Sequence, residues 1–291
     1  MQICAIDNGY FSTKVKTEEK LFKFRSKIQE FNDEQINADT FEIADKIYIV
    51  GNGKDTIEIK KIDNEVHRIC TIVGLSKLTN DIEEFKVIVA LPMSHYLNRD
   101  FREQFKNYLS NPNIIHVKHQ NKKKVIIIKD LIVFMQGASA LYAHNPEQYK
   151  NNLVAVLDIG GLTTNGCIFE NLKPIPESIF TINSGMLILY NKIKTAINQQ
   201  NCLNVQDYEI PYIIHQHTDI FNQIVSEHVQ KVIREMRAHN WSIETLPILG
   251  VGGGILELED IMKQYFPQLQ LSQNPIYDNV NGLFNIGKVM F

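Results

Sequence analysis

Apolar residues recur along the chain with two periods, and the change of period separates strand-like from helix-like stretches. From Met1 to about Lys27 they alternate with polar residues as in two short strands of a meander, with Gly9 at the turn. Lys46-Ile-Tyr-Ile-Val50 with Gly51-Asn52-Gly53 reads as a hairpin, which makes Lys54 a turn residue rather than part of a phosphate loop. Val87 to Leu91, Val125 to Ile128, Leu153 to Leu157 and Leu246 to Leu249 are apolar runs of the kind buried strands show. Helical spacing governs Ile255 to Phe266. It also governs Ile220 to Met236, where Ile224, Val225, His228, Val229, Val232, Ile233 and Met236 share one side that reads as ordinary core rather than as part of a subunit contact.

This punctuation predicts an α/β protein of two domains, 1–149 and 150–291. The mixed polar stretch of about 30–80 forms a small outer subdomain of the first, which resumes at Phe85. A reduced outer part of the second covers about 200–240, and the last helix, after Gly282, packs back on the first domain. At 291 residues there is room for two real cores, and a formal net charge of −3 lacks the basic excess of a direct DNA binder. Cys4, Cys70, Cys167 and Cys202 are far apart and form no Cys-x-x-Cys pair, so they read as reduced thiols of a cytoplasmic protein. No signal peptide precedes the first strand, and no apolar run approaches the ~20 residues of a membrane span. Lys122-Lys123-Lys124 reads as a solvated turn guarding a β-edge. His215-Gln-His217 with Asp219 has metal-like composition but no visible third ligand, and reads as an ordinary loop.

Chemistry concentrates where apolar strands run into Asp and Gly. Ile3-Cys-Ala-Ile6 leads to Asp7-Asn8-Gly9, then Ser12-Thr13-Lys14; Val154-Ala-Val-Leu leads to Asp158-Ile-Gly160-Gly161, then Leu162-Thr163-Thr164. Glycines let exposed N–H groups approach an anion, and hydroxyls add donors, so each copy is suited to phosphate oxygens. A carboxylate there would repel phosphate unless a cation stood between. Asp7 and Asp158 therefore read as a divalent-metal cage, Mg²⁺ held largely through water, with Lys14 as compensating charge. A third cluster, Gly250-Val-Gly252-Gly253-Gly254, ends a buried-type strand and opens a helix. It offers no packing of its own, so it reads either as a tight strand-to-helix crossover or as a bed for something flat or bulky. Gly-x-Gly-x-x-Gly fails at Ile255, and no Gly-x-x-x-x-Gly-Lys-[Ser/Thr] loop occurs.

The order of these three motifs resembles the phosphate-1, phosphate-2 and adenosine motifs of the actin, heat-shock chaperone and sugar-kinase ATPases, and most of all the plasmid-segregation actins of the ParM/StbA family. Val87 to Tyr96, with its Leu91-Pro92, Ile126 to Gln136, and Tyr277 to Gly287 resemble further stretches of that family. The resemblance implies an actin-like (ribonuclease H-like) two-domain ATPase fold with a nucleotide cleft between domains. Among residues it assigns Asn8, Gly9, Ser12, Thr13, Lys14, Gly160, Gly161, Leu162, Thr163, Gly185, Gly252, Gly253 and Gly254 to nucleotide, and Gln136, Asp158 and Asp7 to catalysis, Gln136 by orienting the attacking water. Leu162 stands where many relatives carry a hydroxyl, and Asn165 where several have Asp. The implied function is a filament of this chain turning over with ATP (GTP possible) and Mg²⁺. It would segregate a plasmid through a DNA-binding adaptor on a centromere-like site, with no direct nucleic-acid or membrane contact. The alternatives are a small-molecule kinase of the same superfamily and a chromosomal actin of cell shape or division. A chaperone reading lacks a peptide-binding domain.

Overall fold

The computed structural model describes residues 1–31, 40–53, 58, 60–201, 204–206, 209–213 and 216–291; Lys54, Cys202 and His215 lie outside them. The chain divides into two units, Met1–Gln148 with Ile276–Phe291, and Tyr149–Pro275.

The N-terminal alternation makes three strands rather than two. β1 (Gln2–Asn8), β2 (Ser12–Lys16) and β3 (Leu21–Arg25) form an antiparallel meander. The second turn carries no glycine or proline to mark it. Thr17 closes it instead, its hydroxyl accepting from the Lys20 N–H at 3.1 Å while its own N–H donates to the Lys20 carbonyl at 2.8 Å. Next come β4 (Ile28–Phe31), β5 (Thr40–Ile43) and β6 (Lys46–Val50). The hairpin expected over Lys46–Gly53 turns at its other end. Ala44 and Asp45, with φ of 50° and 63°, join β5 to β6, whereas Gly51 ends β6 by donating to the Lys27 carbonyl at 2.9 Å. Two left-handed residues give a reversal whose twist suits the flanking strands, so no glycine is required there.

Helix α1 (Val66–Ser76), strand β7 (Ile82–Leu91), helices α2 (Met93–Leu97) and α3 (Arg99–Ser110), and strands β8 (Ile114–His119) and β9 (Lys122–Met135) complete the main body of this unit. Its nine-stranded sheet runs β3-β2-β1-β7-β9-β8-β5-β6-β4, with β7 parallel to both β1 and β9. Thus β4 to β6 continue the main sheet, and α1 of the same stretch lies on it. Alternate residues go to opposite faces. Cys4, Ile6, Val87 and Val89 meet Ile69, Ile72 and Phe105, while Ala5, Ile88 and Ala90 meet Val280, Leu283 and Phe284 of the C-terminal helix, Asp278–Met290. Cover on both faces is why Val87 to Leu91 is apolar without interruption. Lys122–Lys124 pair with β8 before the β7 register begins at Ile82 opposite Val125, and Lys124 Nζ donates to the Ser76 carbonyl at the end of α1.

The C-terminal helix starts at Asp278, one turn earlier than the Asn281-Gly282 step suggests. Gly282 is not a helix starter but a point of close approach. A Cβ on it would lie 1.6 Å from the Ser139 carbonyl oxygen in the 3₁₀ turn Ala138–Tyr142.

The second unit holds β10 (Leu153–Ile159), β11 (Thr164–Glu170), β12 (Lys173–Pro174), β13 (Phe180–Ile182), β14 (Ile248–Val251) and β15 (Leu269–Leu271). Its helices are α4 (Met186–Asn201), α5 (Ile210–Ile213), α6 (Thr218–Ala238) and α7 (Gly253–Tyr265). The path β12-β11-β10-β14-β15 repeats the first unit's β3-β2-β1-β7-β9: antiparallel steps on one side of the Asp-bearing strand, parallel steps on the other. Two half-molecules with one topology therefore stand behind the two Asp-Gly motifs. Helix α6 buries Val225, His228, Val229, Val232, Ile233 and Met236, several of them against Leu189, Ile193 and Ile197 of α4, so its apolar side is core. Asp219 lies in its first turn, and among the described residues no group of three or more His, Cys, Asp or Glu could hold a metal ion. Cys4, Cys70 and Cys167 are buried free thiols, and burial pushes Cys70 and Cys167 up to about 12. Among the described residues no helix is long and apolar enough to cross a membrane.

Two stability effects follow from these contacts. Gly282→Ala forces the C-terminal helix away from Ser139 and should cost about 3 kcal/mol, the upper range for overpacking, read as a lower urea midpoint. An unchanged midpoint would contradict the close approach. His228 is buried, and desolvation, then Lys192 and Lys231, lower its pKa from 6.5 to about 4. The unfolded chain thus binds more protons between those values: stability is full above pH 6.5 and falls as the pH drops toward 4. His228→Gln should flatten the loss of urea midpoint across that window. Parallel curves for variant and wild type would place the acid sensitivity elsewhere.

Candidate functional site

In the first unit the candidate residues gather at the C-terminal ends of the parallel strands. Asp7 and Asn8 end β1 and face Lys14 and Thr13 of β2 in the antiparallel register. That register brings Lys14 Nζ to 2.8 Å from Asp7 Oδ2, so the lysine compensates the carboxylate directly. Asp7 Oδ1 is buried and accepts no hydrogen bond. Asn8 donates through Nδ2 to Thr71 Oγ1 at 2.8 Å, and its Oδ1 is likewise buried without a donor. Gly9 closes the turn, its N–H donating to the Asp7 carbonyl, and Ser26 Oγ donates to the Gly9 carbonyl at 2.6 Å. Thr13 is buried with its hydroxyl 2.9 Å from Ser26 Oγ, inside the turn; Ser12 is partly exposed.

Gln136 follows β9. Its N–H donates to the Leu91 carbonyl at 2.8 Å, which ties the end of β9 to the end of β7, and its Oε1 is buried with no hydrogen-bond partner. Gly137 turns the chain with φ 79° and donates to Asn279 Oδ1 at 3.0 Å, as Ser139 Oγ does at 3.3 Å. Asn279 stands 142 residues away from Gly137, and nothing in the sequence pairs them.

In the second unit Asp158 is buried near the end of β10, opposite Asn165 of β11 and Val251 of β14. The loop after it is clasped by the start of α4. Met186 and Leu187 donate to the Gly160 and Gly161 carbonyls at 3.0 and 2.8 Å, and Gly185 donates to the Leu162 carbonyl at 2.8 Å. Leu162 is buried. Thr163 is too, with Asn165 Nδ2 3.4 Å from its hydroxyl, and Thr164 Oγ1 donates to the Ser184 carbonyl at 2.6 Å. With those hydroxyls turned inward, the backbone is what this loop offers an anion. The glycine triplet is pressed onto the same place. Gly252 has φ 87°, and a Cβ on it would sit 2.5 Å from Asp158 Oδ1 and 2.4 Å from the Ile159 carbonyl oxygen. Gly253 is exposed, and a Cβ there would meet nothing within 4 Å; Gly254 packs on Ile159 and Met186. The triplet is thus a strand-to-helix crossover with an open middle position.

Buried carboxylate and amide oxygens lacking donors suit a hydrated cation and a water, and an open glycine at a helix start suits a flat or bulky group. Sequence pattern located these positions. It did not find Lys61, Asn279, Ser26 or Ser184, whose roles come from contacts across long separations.

Residues 5–138 match the family described as Actin like proteins N terminal domain. No curated protein matches the sequence. A 15-stranded ParM filament from Clostridium botulinum is 19% identical, with 99% of both chains covered and a TM-score of 0.81. An archaeal actin homolog is 15% identical, with 100% of both covered and a TM-score of 0.79. A filament of AlfA bound to AMPPNP is 16% identical, covering 99% of this chain and 98% of its own, with a TM-score of 0.65. Identities this low carry the fold alone: the chain has the fold of the actin-like structures, and its residues 5–138 match the actin-like N-terminal domain.

Proposed function

We propose that this actin-like protein binds ATP with Mg²⁺, GTP being the other candidate, assembles into filaments in that form, and loses filament stability after hydrolysis. Its role in the cell would be to segregate plasmid DNA through a separate DNA-binding adaptor, in the cytoplasm. The observation that carries the reading is Asp7 Oδ1, a buried carboxylate oxygen with no donor, beside a glycine turn in a fold shared along its length with a ParM filament. The AMPPNP in the AlfA filament supports a nucleoside triphosphate as ligand. The net charge of −3 favours an adaptor over direct DNA contact.

Each residue's task follows from its surroundings. In each unit the strand-end carboxylate, Asp7 or Asp158, would face Mg²⁺ largely through water, with Lys14 balancing the charge on Asp7. The ion, when bound, neutralises charge on the polyphosphate. Asn8, Gly9 and Ser12, and the backbone of Gly160, Gly161, Leu162 and Thr163 with Gly185 behind it, would position phosphates. Gly252 and Gly254 hold the crossover in place, while Gly253 leaves room for base or ribose. Gln136 cannot act as a strong base; its Oε1 would accept a hydrogen bond from the attacking water and orient it.

Sedimentation with ATP, GTP, ADP and a non-hydrolysable analogue tests the whole. Triphosphate-triggered pelleting is expected. A soluble protein releasing ADP only with a small acceptor would instead make it a kinase.

Two variants test the ligand assignments by isothermal titration. A Cβ added at Gly253 meets no protein atom, so Gly253→Val should melt like wild type yet lose nucleotide affinity. Asp158→Ala should weaken Mg-nucleotide binding. Wild-type affinity in both would sink the site. For Gln136→Ala, nucleotide binding and assembly should persist while hydrolysis falls about 10²-fold, the contribution of one positioned group. Phosphate release and light scattering on the same sample decide it, and a wild-type rate would remove Gln136 from the chemistry.

A further inference from the structure

Lys61 is fully buried, an expensive place for an amine unless its donors are used. Its Nζ donates to the Asn8 carbonyl at 2.7 Å and to the Ala90 carbonyl at 3.2 Å. Those oxygens belong to the ends of two different strands. Asn8 ends β1 and opens the first glycine turn; Ala90 precedes Leu91, whose carbonyl accepts the Gln136 N–H at 2.8 Å. A single side chain therefore links the backbone of the phosphate-loop candidate to the strand end that holds the water-orienting candidate. The pocket around it is aromatic. The Tyr10 ring centroid is 5.6 Å from Nζ, and the buried His67 ring stands edge-on to Tyr10 at 5.1 Å. Burial, then the Lys61 charge, lowers the His67 pKa well below its ordinary value, so the imidazole is neutral. Two carbonyls on separate strands need one multivalent donor, and lysine carries three N–H groups on a flexible stem. An apolar side chain of similar volume would avoid the desolvation cost but leave both oxygens without this donor.

We propose that Lys61 is a positioning residue, clamping the Asn8–Gly9 turn to the end of β7 and so fixing the distance between that turn and Gln136. The proposal rests on the nucleotide-hydrolysing reading of the same residues. It predicts a loss in the chemical step more than in binding, since a misplacement on the order of 1 Å costs up to ~10²-fold in rate.

The test uses the full chain with Lys61→Met and Lys61→Arg. Hydrogen exchange without nucleotide reads the Gly9 and Gln136 amides, both hydrogen-bonded in the structure. Lys61→Met should exchange faster at these two positions by about tenfold or more while β9 and α1 stay protected; in steady-state hydrolysis kcat should fall on the order of 10- to 100-fold with KM within about threefold. Lys61→Arg should restore both. Unchanged exchange and kcat in Lys61→Met would overturn the clamp, as would loss of protection spread evenly over the sheet. Should Lys61→Met not fold, Lys61→Arg decides: wild-type exchange supports the clamp, and faster exchange at Gly9 and Gln136 refutes it. A wild-type chain that does not hydrolyse nucleotide would end the proposed function, and the exchange comparison would still decide the clamp.

Discussion

Parallel strands that stop together leave carbonyl and N–H groups beyond the last ladder bond, and burial makes every one of them need a partner. In the first unit those partners set the geometry of the candidate site. Lys61 takes the Asn8 and Ala90 carbonyls, Gln136 the Leu91 carbonyl, and Asn279 the Gly137 N–H. The oxygens left over after this pairing, Asp7 Oδ1, Asn8 Oδ1 and Gln136 Oε1, are the ones able to receive something else. The second unit meets the same constraint mainly with backbone, the first N–H groups of α4 donating to the carbonyls of the Gly160–Gly161 turn and the Thr164 hydroxyl to the Ser184 carbonyl.

Glycine enters where two backbones must nearly touch. Gly252 lies against Asp158 and the Ile159 carbonyl, and Gly282 lies against Ser139. Both contacts bring distant segments onto a candidate loop: the β14–α7 crossover onto the end of β10, and the C-terminal helix onto the turn after Gln136. In each case a methyl group would separate them by more than a hydrogen-bonding network tolerates. Close packing and polar satisfaction thus act on the same few residues.

Some polar groups of the first unit stay only half paired. Asp7 shares only one of its oxygens with Lys14, at 2.8 Å, and a buried half-paired carboxylate is costly until a cation or donor arrives. His67 and His228 are buried histidines near the first turn and the α4 turn, both held neutral by burial and neighbouring lysines.

The sequence by itself determined the elements whose signal is local. Apolar runs marked the strands, 3.6-residue spacing marked α6 and α7, and the repeated Asp-Gly motifs marked two related halves and placed Asp7, Asp158 and the glycine triplet at strand ends. Where a turn lacked its usual glycine, as at Thr17–Lys20 and Ala44–Asp45, a strand was missed or a hairpin reversed, because a side-chain hydrogen bond or two left-handed residues did glycine's work. Asn281-Gly282 misled in the opposite sense, since that glycine answers to Ser139 rather than to its own helix. Only the tertiary structure decided that Thr13, Thr163 and Thr164 turn their hydroxyls inward, and that Lys61 and Asn279 hold the first site together. Those roles depend on which buried oxygen is left without a partner, a property of contacts 53 and 142 residues apart that no local pattern contains.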